Sequence, residues 1–246
     1  MLGNVIGSNI LNILLILGIS ALFHDLSIKE TTLKKELPFT VLISTAFAVL
    51  LSDTLFDRKS NAFTRSDAII ILLFFLVFIY YLVSMASSKT TTEEEQYMSM
   101  KKATIFTLIG IVAIVIGSNM VVSSASALAK AMGVSEKMIA LTVVAFGTSL
   151  PELVTSVTAT RKGEYDIAIG NVVGSNIFNI GMVIGIPATI LGGIKQINFN
   201  PIDLSAMLIS AILLFVFSIN KKISKIEGCT FLAIFLIYYS YVINMG

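Results

Sequence analysis

The sequence predicts an all-α integral membrane protein of about eight transmembrane helices, built around an inverted repeat. Three observations carry this reading. The 246 residues are 56% hydrophobic and only 13% charged, with mean hydropathy +0.91, where soluble domains carry about a quarter charged residues. The apolar runs reach membrane-crossing length and are separated by short polar gaps. Residues 3–13 read GNVIGSNILNI and residues 170–180 read GNVVGSNIFNI, nine matches in eleven at a constant offset of 167. That match rests on Gly, Asn and Ser, which apolar helices do not share by chance.

Taken in order, the candidate spans are 2–23, 37–56, 66–87, 103–129, 136–160, 166–192, 201–219 and 226–244. The start is not a signal peptide, since it has no basic segment and no small-residue cleavage site after a short apolar run. The longest gap, Ser87 to Lys102, contains Thr90-Thr91-Thr92-Glu93-Glu94-Glu95 and is expected to be a solvated loop. It separates three spans from five. If all eight cross, Lys29, Lys34, Lys35, Lys89, Lys101, Lys102, Arg161, Lys162, Lys221, Lys222 and Lys225 fall on one side. Arg58, Lys59, Arg65, Lys130, Lys137 and Lys195 fall on the other. Eleven against six places the first side in the cytoplasm and both chain ends outside. The net charge of +2, spread singly or in pairs over loops, excludes a nucleic-acid partner. The single Cys229 excludes an internal disulfide. The single His24 reads as a loop residue near the headgroups.

The two copies of the repeat lie in the first and sixth spans, so five crossings separate them. An odd number makes them enter the membrane from opposite sides, the inverted topology of secondary transporters. The five spans of 103–246 form a complete second copy. The three of 1–87 form an incomplete first copy, with 88–102 as the cytoplasmic linker. The missing pair would include the partner of the span that carries Glu152. The chain is therefore expected to be N-terminally truncated, or one half of a split transporter.

Candidate chemistry centres on Gly147-Thr148-Ser149-Leu150-Pro151-Glu152. A carboxylate at mid-membrane depth is costly and marks a functional site by default. Gly and Pro beside it predict an interrupted helix whose freed carbonyls can bind a cation. Glu152 supplies a hard anionic oxygen, with Thr148 and Ser149 within a turn of it. Ala145 precedes the break, and its carbonyl is expected to lack a helical donor. Ser175 and Asn179 stand four apart on one helix face, and Ser8 with Asn12 repeats the arrangement. All are oxygen donors suited to calcium or sodium and unsuited to soft metals. For Gly3, Gly7, Gly170 and Gly174, close small-xxx-small packing is the favoured reading. Phe74, Phe75 and Phe78 read as packing or lipid-facing surface.

A helix carrying GTSLPE followed by one carrying GNVVGSNIFN resembles the alpha-repeat of the cation/calcium exchanger superfamily, and most closely its prokaryotic sodium/calcium antiporters. The second copy matches throughout, from Ala145 to Glu152 and from Gly170 to Asn179. The first matches from Gly3 to Asn12 onward. The resemblance implies a ten-helix fold of two inverted repeats of five, of which this chain would hold the third to tenth. It implies that Glu152 and Thr148 form half of a calcium site. It also implies that Ser149, Ser175 and Ser8, with the Ala145 carbonyl, occupy sodium-site positions. Asn12 and Asn179 match the last polar position of the motif, where some members carry Asp. The span 103–129, with Ser118, Asn119, Ser123, Ser124 and Ser126, matches a helix thought to move.

The expected activity is exchange of Ca2+ for Na+ across the plasma or inner membrane by alternating access, with no cofactor and no enzymatic step. With Glu152 as the only carboxylate in the site, the chain alone is expected to be inactive. A second polypeptide is a candidate source of the missing helices, and membrane lipid is the other partner. Exchange against protons or potassium, and a non-transporting remnant or half-transporter subunit, are the alternatives.

Overall fold

The computed structural model describes residues 2–56, 60–87, 99–134, 145–194 and 200–245. In chain order the helices are α1 (Leu2–Phe23), α2 (Leu37–Leu51), α3 (Arg65–Ser87), α4 (Met100–Ala131), α5 (Ala145–Thr148), α6 (Leu150–Arg161), α7 (Tyr165–Leu191), α8 (Pro201–Phe217) and α9 (Lys225–Met245). Four short strands join them: β1 (Leu26–Ser27), β2 (Phe63–Thr64), β3 (Gly193–Ile194) and β4 (Lys222–Ile223). Among the described residues, α1, α3, α4, α7, α8 with its terminal turn, and α9 are each long and apolar enough to cross a membrane. The helix over the predicted span 37–56 begins earlier, with a π stretch Thr32–Glu36 that leads into α2. The span 37–56 is helical to Leu51 and ends in a 3-10 turn, Asp53–Phe56. The span 136–160 is described only from Ala145, and 136–144 lie outside the described residues, as do 88–98 of the predicted linker.

The chain forms two compact units, Met1–Phe75 with Glu152–Gly246, and Leu76–Pro151. In the first, sequence signals set the helix ends. Thr64 and Asp67 make a reciprocal capping box at the start of α3: the Thr64 amide donates to Asp67 Oδ2 (2.7 Å) and the Asp67 amide to Thr64 Oγ1 (3.3 Å). Ser224 and Glu227 repeat it at the start of α9, at 2.6 and 3.4 Å. Both pairs are related by an offset of 160, which shows that the internal repeat extends beyond the Gly/Asn/Ser motif. Asn200 caps α8 by accepting from the Ile202 amide (3.0 Å), with Pro201 following where no donor is lost.

The repeat copies are interleaved rather than side by side. β1 pairs antiparallel with β4, Leu26 opposite Ile223, and β2 pairs antiparallel with β3, Phe63 opposite Ile194. The strand that follows α1 thus pairs with the strand that precedes α9. The strand that follows α7 pairs with the one that precedes α3. At β2–β3, Gly193 has φ +99° and its backbone lies so close to β2 that a Cβ would meet the Phe63 carbonyl at 2.6 Å. Only glycine serves there.

The same exchange occurs between helices. A Cβ on Gly18 of α1 would lie 2.8 Å from Leu232 Cγ of α9, and one on Gly185 of α7 would lie 2.9 Å from Leu72 Cγ of α3. Phe75 of α3 is buried against Phe178 at 5.2 Å between ring centroids and against Gly181, so it is packing surface. The repeat's small-residue pattern works differently from expectation. A Cβ on Gly3, Gly7, Gly170 or Gly174 would meet nothing within 4 Å, whereas Gly18, Gly181, Gly185 and Gly228 sit against their neighbours.

The strand pairs also sort the loops. β1–β4 brings Asp25 beside Lys222 (3.6 Å) and Glu30 beside Lys221 (3.5 Å), and Lys29 is ion-paired with Asp166 at the start of α7. Hydrogen bonding from the Lys34 ammonium, with the charge of Lys221, holds the exposed Glu30 carboxyl below its ordinary value. Arg65 reaches the Ile190 carbonyl at the β2–β3 end (3.5 Å). The loops after α1, before α7 and before α9 therefore share one end of this unit, and those flanking β2 and β3 share the other. α1 and α7 accordingly run in opposite directions.

In the second unit α4 has 32 residues, about 48 Å at 1.5 Å per residue. That exceeds a hydrocarbon core of about 30 Å, so the helix is long enough to cross a bilayer with some tilt. A Cβ on Gly147 would come 2.0 Å from Val122 Cγ2 of α4.

These contacts set opposite signs for one chemical change. Gly18→Ala and Gly228→Ala are expected to lower stability by about 1–3 kcal/mol through overpacking. Gly3→Ala and Gly170→Ala, with open space at Cβ, are expected to be neutral or to gain up to about 1 kcal/mol from helix propensity. Thermal melting followed by circular dichroism in one detergent compares the four.

Candidate functional site

The predicted interruption falls at Ser149. α5 ends at Thr148, the Ser149 amide closes a tight turn on the Phe146 carbonyl (3.0 Å), and α6 begins at Leu150. Pro151 lies in the first turn of α6, where its missing donor is tolerated. The carbonyl it leaves without a helical partner is that of Gly147, four residues back, and not that of Ala145. Ala145, Thr148 and Ser149 belong to the second unit, and Glu152 opens the returning part of the first.

Within the first unit, α6, α7 and α1 bring Glu152, Ser175 and Asn12 into one hydrogen-bonded line. Asn12 Nδ2 donates to Ser175 Oγ (3.2 Å), and Ser175 Oγ donates to Glu152 Oε1 (3.2 Å). Asn171 fixes α6 on α7 by donating to the Glu152 carbonyl (3.2 Å) and to Ser156 Oγ (3.0 Å), and Ser156 donates to the Ala168 carbonyl (3.2 Å). The Glu152 backbone is therefore held by a side chain as well as by its helix.

Behind this line stands a two-fold arrangement of four asparagines. Asn9 Nδ2 donates to the Asn176 carbonyl at 3.3 Å, and Asn176 Nδ2 donates to the Asn9 carbonyl at 3.3 Å. Asn12 Nδ2 donates to Asn176 Oδ1 at 2.9 Å, and Asn179 Nδ2 donates to Asn9 Oδ1 at 3.0 Å. Each bond in one copy has its mate in the other, at the offset of 167. The backbone changes with it. α1 becomes a π-helix over Leu11–Leu17 and α7 over Asn179–Ile184. A π turn widens the ladder and re-aims its side chains, and such turns concentrate at functional sites.

Two acceptors in this assembly are buried with no partner: Asn12 Oδ1 and Glu152 Oε2. An unpaired buried acceptor costs about 1–3 kcal/mol. A bare cation among hard oxygens would remove that cost. Among the described residues no group of three or more His, Cys, Asp and Glu side chains gathers. The oxygens here belong to amides, hydroxyls and a single carboxylate. Ser8 is buried on α1 in the place that Ser175 takes on α7, and makes no side-chain hydrogen bond among the described residues.

The predicted residues Glu152, Ser175, Asn12 and Asn179 are thus brought together. Asn9, Asn176, Asn171 and Ser156 were not singled out by the sequence reading. Asn9 and Asn176 lie in the repeated motif, each one residue after the serine of a Ser–Asn pair. The available signal was an amide kept at the same place in both copies of an otherwise apolar helix, where an unpaired amide is costly.

The family model described as "Sodium/calcium exchanger protein" matches residues 1–84 and 102–244. CaxA of Alkalimonas amylolytica is 31% identical over 242 residues, 96% of this chain and 76% of that protein. The sodium/calcium exchanger MaX1 of Methanosarcina acetivorans is 47% identical over 114 residues, 46% of this chain and 33% of that protein. A solved structure of the sodium-calcium exchanger NCX_Mj, soaked with zero Na+ and Ca2+, superposes with a TM-score of 0.81 at 28% identity. It covers 98% of this chain, which spans 76% of that one.

Asn171 gives the site a structural test. Asn171→Leu is expected to cost about 1–3 kcal/mol, because the Glu152 carbonyl and Ser156 lose their shared donor inside the bundle. Thermal unfolding of the two proteins in the same detergent measures it.

Proposed function

The chain belongs to the sodium/calcium exchanger protein family, and on that premise we propose that it carries Ca2+ in exchange for Na+ across the plasma or inner membrane. The observation that carries this reading is the pair of unpartnered buried acceptors, Glu152 Oε2 and Asn12 Oδ1, on one hydrogen-bonded line through Ser175. Glu152 is the anionic ligand. Asn12, Asn179, Ser175 and Ser8 supply neutral oxygens in the inverted pair of helices. Thr148, Ser149 and the Ala145 carbonyl are the ligands we assign to the interrupted helix before Glu152.

Charge decides how the site is completed. One carboxylate leaves a divalent ion with uncompensated positive charge in a medium where such interactions are strong. A second carboxylate, related to Glu152 by the pseudo-two-fold, would balance Ca2+, and neutral oxygens would share Na+ when calcium leaves. The place for it is the face of α1 that corresponds to the Glu152-bearing contact of α7. There Asn4 stands where Asn171 stands, and Gly3 and Asn4 are exposed in these 246 residues. A helix supplied by a further segment or by a second polypeptide is the occupant we propose. In this reading residues 1–87 and 103–246 are the two repeat copies and 88–102 link them. Membrane lipid surrounds α3, α4 and α9. The lysine-rich end at β1–β4 faces the cytoplasm, with both chain ends outside. Alternating access follows from the two copies opening the site to one side at a time.

Two expectations test this. The 246 residues reconstituted alone are expected to show no sodium-gradient-driven calcium uptake, whereas a version that carries the symmetry-related helix takes up calcium. In that version Glu152→Gln abolishes uptake, measured with radioactive calcium in vesicles. Robust uptake by the short chain would remove the charge argument, and unchanged uptake in the Gln variant would remove Glu152 from the site.

A further inference from the structure

The orientation of an asparagine amide decides whether it offers a cation an oxygen or repels it with an NH2 group. In this site the orientation is fixed by a chain of requirements that begins on the backbone. A carbonyl oxygen can only accept. Asn9 therefore turns its NH2 to the Asn176 carbonyl, and Asn176 turns its own to the Asn9 carbonyl, each at 3.3 Å. That leaves Asn9 Oδ1 and Asn176 Oδ1 aimed at Asn179 and Asn12. Those two residues can answer an acceptor only with NH2, as they do at 3.0 and 2.9 Å. The second proton of Asn12 goes to Ser175 Oγ, whose own proton goes to Glu152. Asn12 then has no donor left to give, and its buried Oδ1 is left without a partner.

We infer that Asn9 and Asn176 are positioning residues that set the amide polarity of the cation site, so that Asn179 and Asn12 present oxygen rather than NH2 to the ion. They do not touch the ion themselves, because both ends of each amide are already engaged. The inference rests on the reading of Glu152 and Asn12 as cation ligands and adds the device that makes the neutral ligands acceptors. It also assigns a purpose to the paired π turns. Each widens the helix within a few residues of the carbonyl that receives the opposite amide.

The test uses the full 246-residue chain with labelled asparagine and glutamate in detergent micelles, followed by NMR. In the unsubstituted chain, the Asn12 Nδ2 protons are expected to exchange with water more slowly than those of the exposed Asn4, by about tenfold or more. NaCl should shift the Asn12 carbonyl carbon and the Glu152 carboxyl carbon and leave Asn9 and Asn176 unmoved. Asn176→Leu, close in volume but without an acceptor, should abolish both the protection and the carbonyl response of Asn12. Asn176→Asp, which keeps an acceptor oxygen, should restore the protection. Fast exchange at Asn12 in the unsubstituted chain, or protection that survives Asn176→Leu, overturns the inference while Glu152 still responds to cations. Should Asn176→Leu fail to fold, the exchange rates of the unsubstituted chain decide alone. A protected Asn12 with no response of either residue to cation leaves the amide polarity standing and overturns the reading of the site.

Discussion

The reciprocal bonds between the Asn9 and Asn176 amides and each other's backbone carbonyls are the constraint on which the rest of the structure depends. Inside a bilayer every polar group has to find its partner within the protein. Two asparagines at one place in two antiparallel helices can satisfy each other in a single register only. Slipping α1 on α7 by one residue would break both bonds and the two amide–amide bonds that flank them. The crossing of α1 and α7 is therefore specified by hydrogen bonds rather than by apolar packing, which tolerates sliding. Around that crossing the other elements are exchanged between copies. α9 closes on Gly18 and α3 on Gly185, and each strand after a motif helix pairs with the strand before the other copy's last helix.

The same constraint shapes the ion chemistry. Four amides tied in a closed network are held in one orientation, and in the cation-site reading we propose their polarity is set before an ion binds. Preorganised oxygen dipoles cost no reorganisation when a cation enters. They bring no charge, however, and the sole carboxylate on the line is Glu152. In the reading we propose, the arrangement would hold a monovalent ion as it stands and a divalent ion once a second anionic group faces the first. The open space at Gly3 and Gly7 on α1, with Asn4 exposed beside them, fits the approach of a helix with that group.

Much of this was legible in the sequence, for identifiable reasons. The membrane class follows from composition, and the inverted topology follows from an odd number of crossings between two copies of one motif. The break near Glu152 follows from Gly147 and Pro151. Glu152, Ser175 and Asn12 could be named because a carboxylate and a Ser–Asn pair four apart are unexpected in apolar helices. The packing of the glycines is not legible, because spacing alone cannot tell a contact from an open face. Gly3 and Gly170 face space, and it is Gly18, Gly185 and Gly228 that meet neighbours. Asn9 and Asn176 do not stand out in the sequence because their partners include backbone carbonyls, which no side-chain pattern announces. The π turns are equally silent, since nothing in the residue pattern at Leu11–Leu17 or Asn179–Ile184 announces them. The sequence expectation places a freed carbonyl at Ala145, whereas the donor missing at Pro151 leaves that of Gly147 without its helical partner.

Two copies of one motif meet as equivalent halves, and in the reading we propose they build a single site. A pair of double-mutant cycles tests this. One cycle couples Asn12 with Asn176 and the other Asn9 with Asn179, each member changed to Ala and unfolding measured in detergent on the full chain. Direct side-chain hydrogen bonds predict a coupling of about 0.5–3 kcal/mol in each cycle, with the two values agreeing to within about 0.5 kcal/mol because the bonds are symmetry mates. Additive single effects in either cycle, or a coupling present in one and absent from the other, would contradict the account.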